Sequence, residues 1–159
     1  MRFRAPIPGL TSIRVAGGTT TDQPPVQSWF VVDHGNGGLF DRRGYVTLNE
    51  NNFVGSSAAS LTIEHNFGRR AFALTRIPLV EKLPFSLAVR AGTFWTDAKR
   101  INESYYLNLW IARSAYSEAG FALGNLTPFL SPFNLQMWFS WQLSVYDTER
   151  FSLGFDFAL

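Results

Sequence analysis

The sequence predicts an all-β chain, an antiparallel meander of about seven to nine strands forming a transmembrane β-barrel or part of a larger one. Three observations lead there: one very long two-faced segment, a second copy of its pattern at the chain end, and a composition rich in aromatics yet poor in charge. From Phe133 to Val145 every odd-numbered residue is large and apolar (Phe133, Leu135, Met137, Phe139, Trp141, Leu143, Val145). The even positions are Asn134, Gln136, Trp138, Ser140, Gln142 and Ser144. Side chains on a strand alternate between faces, so so long a register separates two environments instead of filling one core. At about 3.3 Å per residue the run would exceed roughly 40 Å, whereas a membrane strand needs about 9 to 11 residues and soluble strands about five or six.

After a turn at Asp147, Thr148, Glu149 and Arg150, the closing residues Phe151 to Leu159 again place apolar side chains at odd positions and small or polar ones at most even positions. Two strands joined by so short a link form an antiparallel hairpin. Aromatics and charged residues each make up 16% of the 159-residue chain, against about a quarter charged in an average soluble domain. No run of about 18 apolar residues exists, which excludes a transmembrane helix. The absence of cysteine permits an oxidising compartment without requiring one. The net charge of +2, with Lys and Arg scattered, speaks against a nucleic-acid partner.

Residues 1–26, with Pro6, Pro8, Gly17, Gly18, Pro24 and Pro25, read as an irregular segment or loop, and 27–159 as the barrel portion. Strands are expected near 27–33, 44–49, 57–67, 70–77, 84–96, 105–113, 116–124, 133–146 and 150–159. Ala59, Leu61, Ile63 and Phe67 alternate with Ser60, Thr62, Glu64 and Asn66; Leu87 and Val89 alternate with Ser86 and Arg90. Glu64, Arg90, Glu118 and Asp156 all fall on the parity opposite the apolar one, as charges facing a lumen must, since an Arg facing lipid at mid-bilayer costs about 2–4 kcal/mol. Arg76 and Arg113 share the apolar parity, but each ends its run, where a long side chain can snorkel. Turn chemistry fills the gaps: Gly35 to Gly38, Gly68 to Arg70, Pro78 to Pro84, Asp97 to Glu103, and Thr127 to Pro132. Trp95, Tyr105, Tyr106, Trp138, Trp141 and Tyr146 are candidates for aromatic girdles.

Ordered short motifs over residues 40–159 resemble a known family. Gly44-Tyr45-Val46-Thr47, Asn52-Phe53, Leu61 through Gly68, Ile77-Pro78-Leu79 with Lys82-Leu83, and Tyr116, Glu118, Gly120 and Asn125-Leu126 look like the C-terminal barrel half of a BamA-like outer-membrane family common in Bacteroidota. Members carry a carboxypeptidase-regulatory-like sandwich or similar periplasmic region before the barrel. The resemblance implies a non-enzymatic protein of the bacterial outer membrane that assembles or translocates proteins or anchors a surface assembly. Its partners would be outer-membrane lipid, the assembly machinery and other membrane subunits. It also implies a long loop with an Arg-Gly-aromatic tip folded into the lumen, matched in residue type by Arg43, Gly44 and Tyr45, with Glu64, Glu118 and Asp156 as acidic contacts. Ser152, Gly154, Phe157 and Leu159 resemble the C-terminal sorting signal of outer-membrane barrels. About half of such a barrel is visible, and the first residues show no signal peptide, so the chain is expected to be a C-terminal fragment. Alone it would be incomplete, dimerise, or close into a small barrel of about eight strands.

Catalysis finds little footing. His34 lies in a Gly-rich loop, and His65 sits between Glu64 and Asn66, whose side chains point to the opposite face. No metal-ligand spacing, nucleophile elbow or phosphate-cradling Gly-Lys loop is present, and no cofactor is expected. Two other classes stay open. One is a stand-alone small barrel acting as adhesin, pore or lipid-modifying enzyme. The other is a soluble lipid-binding barrel with inverted faces, which would need many more exterior Lys and Glu.

Overall fold

The computed structural model describes residues 2–3, 9–20, 29–32, 45, 47–48, 52–73, 77, 79, 82–97, 109–110, 114–126, 134–146 and 150–158. Among the described residues ten strands run in chain order: β1 (Arg2–Phe3), β2 (Leu10–Thr19), β3 (Phe30–Val31), β4 (Asn52–Gly55), β5 (Ser57–Gly68), β6 (Ser86–Asp97), β7 (Leu109–Trp110), β8 (Tyr116–Gly124), β9 (Asn134–Gln142) and β10 (Phe151–Ala158). One helical turn, α1 (Arg70–Ala73), follows β5. The main sheet has the order β1-β2-β5-β6-β8-β9-β10, and every neighbouring pair is antiparallel. A small second sheet, β3-β4-β7, joins two separate connections, with β4 and β7 parallel. The all-β, antiparallel class therefore holds. The sheet is open, with β1 and β10 as its edges, and is not closed into a barrel.

Local chemistry explains where the strands stop. Gly68 takes a left-handed φ of 59° and donates its N–H to Asn66 Oδ1 at 2.8 Å. A register shift lies at the same place. The chain then makes a helical turn in which Phe72 N donates to Arg69 O, and Phe72 packs edge-on to Phe85. The strand expected over 70–77 is thus corrected: Arg70–Ala73 is helical, with Phe72 bonded locally to Arg69 after the turn at Gly68. At the end of β8, Asn125 is left-handed (φ 57°) and its Nδ2 donates to Pro84 O at 2.7 Å, tying this turn to the segment before β6.

Other expectations change too. The irregular segment 1–26 contains a ten-residue strand, β2, paired along its length with β5. Its apolar alternation is only Ile13 and Val15 long before Gly17 and Gly18 interrupt it. Gly18 is needed for contact, since a Cβ there would lie 2.5 Å from the Phe30 ring. The run 133–146 forms a shorter strand, ending at Gln142; Leu143 then turns its N–H to Ser117 O, and Gln142 Nε2 donates to Tyr146 O. Within the expected strands 27–33 and 105–113, the residues described as strand are Phe30–Val31 and Leu109–Trp110, and both pairs belong to the small sheet. In the segment 44–49, Tyr45 makes only an isolated bridge.

Except at the register shift after Asn66, where Gly68 pairs with Leu87, register places the odd residues of β2, β5, β6, β8, β9 and β10 on one face and the even residues on the other. The odd face is apolar and solvent-exposed: Val15, Leu61, Ile63, Val89, Trp95, Trp141, Phe151, Leu153 and Phe155 all stand open on it. The even face is covered across β6, β8 and β9, where Phe94, Thr96, Tyr116, Glu118, Ala122, Trp138 and Ser140 are buried. This inverts the usual soluble sheet, which packs its apolar side and wets its polar one.

Candidate functional site

Around Phe94 and Tyr116 the covered face is packed by the connection between β2 and β5, while Ala88, Ala122 and Trp138 form a separate cluster. Tyr45, Leu48 and Phe53 from this connection form the main core cluster with Val32, Phe94 and Tyr116, and Thr47 is buried beside them against Glu118 and Tyr116. Phe53 is fully buried, with ring centroids 5.3 Å from Phe94 and 5.5 Å from Tyr146, both edge-on. Tyr45 packs edge-on to Phe94 at 4.7 Å, and Phe94 stacks on Tyr116 at 4.8 Å. These offset and edge contacts are the favoured aromatic geometries.

Polar bonds fix this segment to the wall. Tyr45 Oη donates to Thr93 O at 2.6 Å. Thr47 donates twice to Glu118 Oε2, from its N–H at 3.0 Å and from its hydroxyl at 2.7 Å, and Thr47 Oγ1 is also hydrogen-bonded to Tyr116 Oη. Glu118 is thus a buried carboxylate on β8 that accepts from a backbone donor and a hydroxyl of the inserted segment. Charge-assisted bonds of this kind are roughly twice as strong as neutral ones. Gly92 supplies the room: a Cβ there would fall 2.8 Å from Tyr45 Cε1. Burial pushes the Tyr45 phenol up to about 12, with the nearby Glu118 carboxylate adding to the rise while a Thr62 hydrogen bond and Arg90 oppose it.

The expected lumen-facing charges share this face by register: Glu64 lies directly across from Arg90, Glu118 across from Gly92, and Asp156 across from Gln136. Of the loop candidates, Tyr45 is seated against the wall, while Arg43 and Gly44 lie outside the described residues. In the terminal signal, Ser152, Gly154 and Phe157 lie on β10, with Phe157 in register with Leu135; Leu159 lies outside the described residues, as do Arg76, Arg113, Tyr105, Tyr106 and His34. Among the girdle candidates, Trp95 and Trp141 are exposed on the apolar face, whereas Trp138 is buried on the covered face beside Ala88 and Ala122.

Sequence reasoning missed Thr47, Phe53, Phe94 and Tyr116 as a unit. A signal existed: Phe94 and Tyr116 are aromatics on the polar parity, and Phe94 stands two residues from Gly92, the gap that Tyr45 fills. His65 offers no acid-base pair, as its Nδ1 bonds Thr11 Oγ1 at 2.7 Å on the apolar face. A cleft of about 330 Å³ between Ser114, Ser117, Leu143, Ser144 and Tyr146 holds hydroxyls but no carboxylate or imidazole. Among the described residues no group of His, Asp or Glu could hold a metal ion, and no helix is long and apolar enough to cross a membrane. No protein-family model matches the chain, and neither a curated protein nor a solved structure is significantly similar to it.

Proposed function

We propose that this chain is the membrane-embedded part of a BamA-like barrel of the bacterial outer membrane, non-enzymatic, which serves the assembly or translocation of other membrane proteins or anchors a surface assembly. The single observation behind this reading is the inverted sheet: nine large apolar side chains stand open on one face, and the charges Glu64, Arg90 and Glu118 share the other. Leaving such side chains in water forgoes about 1.5–3 kcal/mol each, and contiguous apolar patches of this size mark an interaction surface or a membrane. Lipid hydrocarbon satisfies it without a protein partner, and the open edges β1 and β10 would pair with further strands, because unpaired backbone groups are costly in a bilayer. The segment bearing Tyr45 and Thr47 would then be the lumenal loop, with Glu118 among its acidic contacts. Outer-membrane lipid and the assembly machinery are the partners this reading requires.

The test is partition. The protein is expected to float with lipid vesicles and to show heat-modifiable gel mobility only after refolding into detergent or lipid, and a detergent-free monodisperse monomer with cooperative unfolding would refute the reading. Replacing Phe157 with Asp should block insertion and delivery to the outer membrane, while Asp156→Asn on the other face should be tolerated.

A further inference from the structure

We propose that one end of the sheet, the end that carries the connection between β5 and β6, docks on anionic phospholipid headgroups, with Arg69, Arg70 and Lys82 meeting the phosphates and Ile77 and Leu79 entering the boundary beneath them. This rests on the membrane reading above.

Antiparallel order sorts the connections to two ends. β5 leaves the sheet where Gly68 pairs with Leu87, β8 leaves it where Gly124 pairs with Ser86, and β2 enters it where Leu10 pairs with Asn66, so segments 4–9, 69–85 and 125–133 share one end. Asn125 Nδ2, donating to Pro84 O at 2.7 Å, ties two of them together. Segments 20–56, 98–115 and 143–150 belong to the other end, where Ser57 pairs with Asp97, Phe94 with Tyr116 and Trp141 with Phe151. By sequence these last three carry six Lys or Arg against seven Asp or Glu. The first three carry five bases, Arg4, Arg69, Arg70, Arg76 and Lys82, against the single acid Glu81. Bases are thus spread over both ends, and the acids tell the ends apart.

Within the strands the nearest acids leave this excess standing. Glu64, four residues before the end of β5, faces Arg90 in register. Asp156 pairs with Gln136 on the edge strand β10, four strands from β5 in the sheet order. That is about 19 Å along the sheet, beyond the roughly 8–10 Å over which exposed charges act at physiological salt. Arg69, Arg70 and Lys82 are exposed, and so are Ile77 (53%) and Leu79 (79%). Arg69 and Arg70 stand on an ordered turn: Gly68 N–H bonds Asn66 Oδ1, Phe72 N donates to Arg69 O, and Phe72 packs edge-on to Phe85. At the same level the open face continues in Leu87, Leu123 and Met137. Exposed aliphatic side chains beside bases, at the edge of an apolar face, complement a phosphate layer lying over acyl chains. Each Lys or Arg at an anionic surface tightens binding about fivefold, whereas neutral headgroups give no such gain. The opposite end, where acids outnumber bases, is not drawn to that surface.

The experiment is flotation with phosphatidylcholine vesicles and with vesicles in which about 30% of the lipid is phosphatidylglycerol. The anionic lipid should tighten association at least about tenfold in low salt, and about 0.5 M salt should abolish the gain. Arg69→Gln should cut the gain about fivefold. Arg150→Gln removes the same charge from the exposed start of β10 at the other end and should leave the gain unchanged. Equal losses from the two substitutions would show attraction by net charge alone and overturn the docking end. Association with phosphatidylcholine that phosphatidylglycerol does not improve would overturn it too, leaving the membrane reading intact. Association with neither vesicle would overturn both. The chain has no cysteine, so Leu79→Cys and Val145→Cys, the latter at a fully exposed site on the other end, can each carry one environment-sensitive fluorophore. Phosphatidylglycerol should move the Leu79 label into a less polar setting and leave the Val145 label as it was; the reverse pattern would refute the proposal without any change to the basic residues.

Discussion

The two faces of the sheet spend their large side chains in opposite ways. On the covered face Tyr45, Phe53, Phe94 and Tyr116 gather at one place, interlock edge to face, and are pinned by hydrogen bonds to Thr93 O and Glu118. On the open face the apolar residues spread in rows over six strands; Phe121 stacks on Phe139 and lies near Trp141, and these contacts stay within the sheet. The first arrangement is a small protein core, with shape and partners specified. The second specifies hydrophobicity and leaves shape loose, which on the membrane reading proposed above would suit contact with fluid acyl chains. Hydrophobic content alone does not separate these roles; whether the rings meet residues from another part of the chain does.

Substitutions can break this contrast. The largest effect is expected from Phe53→Ala, which empties the centre of the core and should cost about 3–5 kcal/mol in detergent-refolded protein, read from denaturant unfolding. Truncating Leu153 to Ala on the open face should cost far less, because lipid or detergent fills the space; equal losses would erase the distinction between the two faces. Val89→Arg follows at about 2–4 kcal/mol, measured as loss of folded, heat-modifiable protein in vesicles, whereas Ser60→Arg on the polar parity should fold near normally. If Val89→Arg instead gave a more soluble, folded monomer, the open face would be a water-facing surface.

Glu118→Ala should cost about 1–3 kcal/mol, since it leaves the Thr47 N–H and hydroxyl without their acceptor in a buried setting. Glu118→Gln keeps an acceptor and should recover much of that loss, and proteolysis of the β2–β5 connection would report the seating directly. The smallest effect is a pH one. With its phenol raised to about 12, Tyr45 stays protonated in the folded state while an unfolded tyrosine ionises near 10. Its contribution to stability is then fully present below about pH 10 and is lost as pH rises through about 12. Ultraviolet titration should show a late phenolate component that Tyr45→Phe diminishes by one phenol, and no change in that component on the substitution would mean that the segment is not seated.

How much of this could be read from residues alone varies with distance along the chain. The parity of β5, β6, β8, β9 and β10 is legible, because Leu61, Ile63, Val89, Phe121, Phe139 and Leu153 repeat at spacing two and the charges keep to the other phase. β2 is hidden because Gly17 and Gly18, with the nearby prolines, read as an irregular segment, whereas Gly18 makes room for Phe30. The apparent strand at 70–77 showed the same period in Phe72 and Leu74, yet the turn at Gly68 and a local Phe72–Arg69 hydrogen bond outweigh a pattern three residues long. Tyr45 could be singled out as a loop aromatic, and Glu118 as a charge on the polar parity. Their meeting could not, since Thr47 and Glu118 are 71 positions apart and nothing in either neighbourhood encodes the other.

That separation also dictates an order of events. The hairpin of β9 and β10 closes over only the residues between Gln142 and Phe151, and contacts so local form early because little chain entropy is lost. The acceptor of Thr47, Glu118, lies on β8 in register with Gly92 of β6, so the inserted segment is expected to dock only after these two strands have paired. Interactions made this late are absent from the rate-limiting state, and weakening them should hasten unfolding while leaving the folding rate nearly untouched. On that order the segment would be the last part to arrive and the first to leave, and the polar face of the sheet would be uncovered in between.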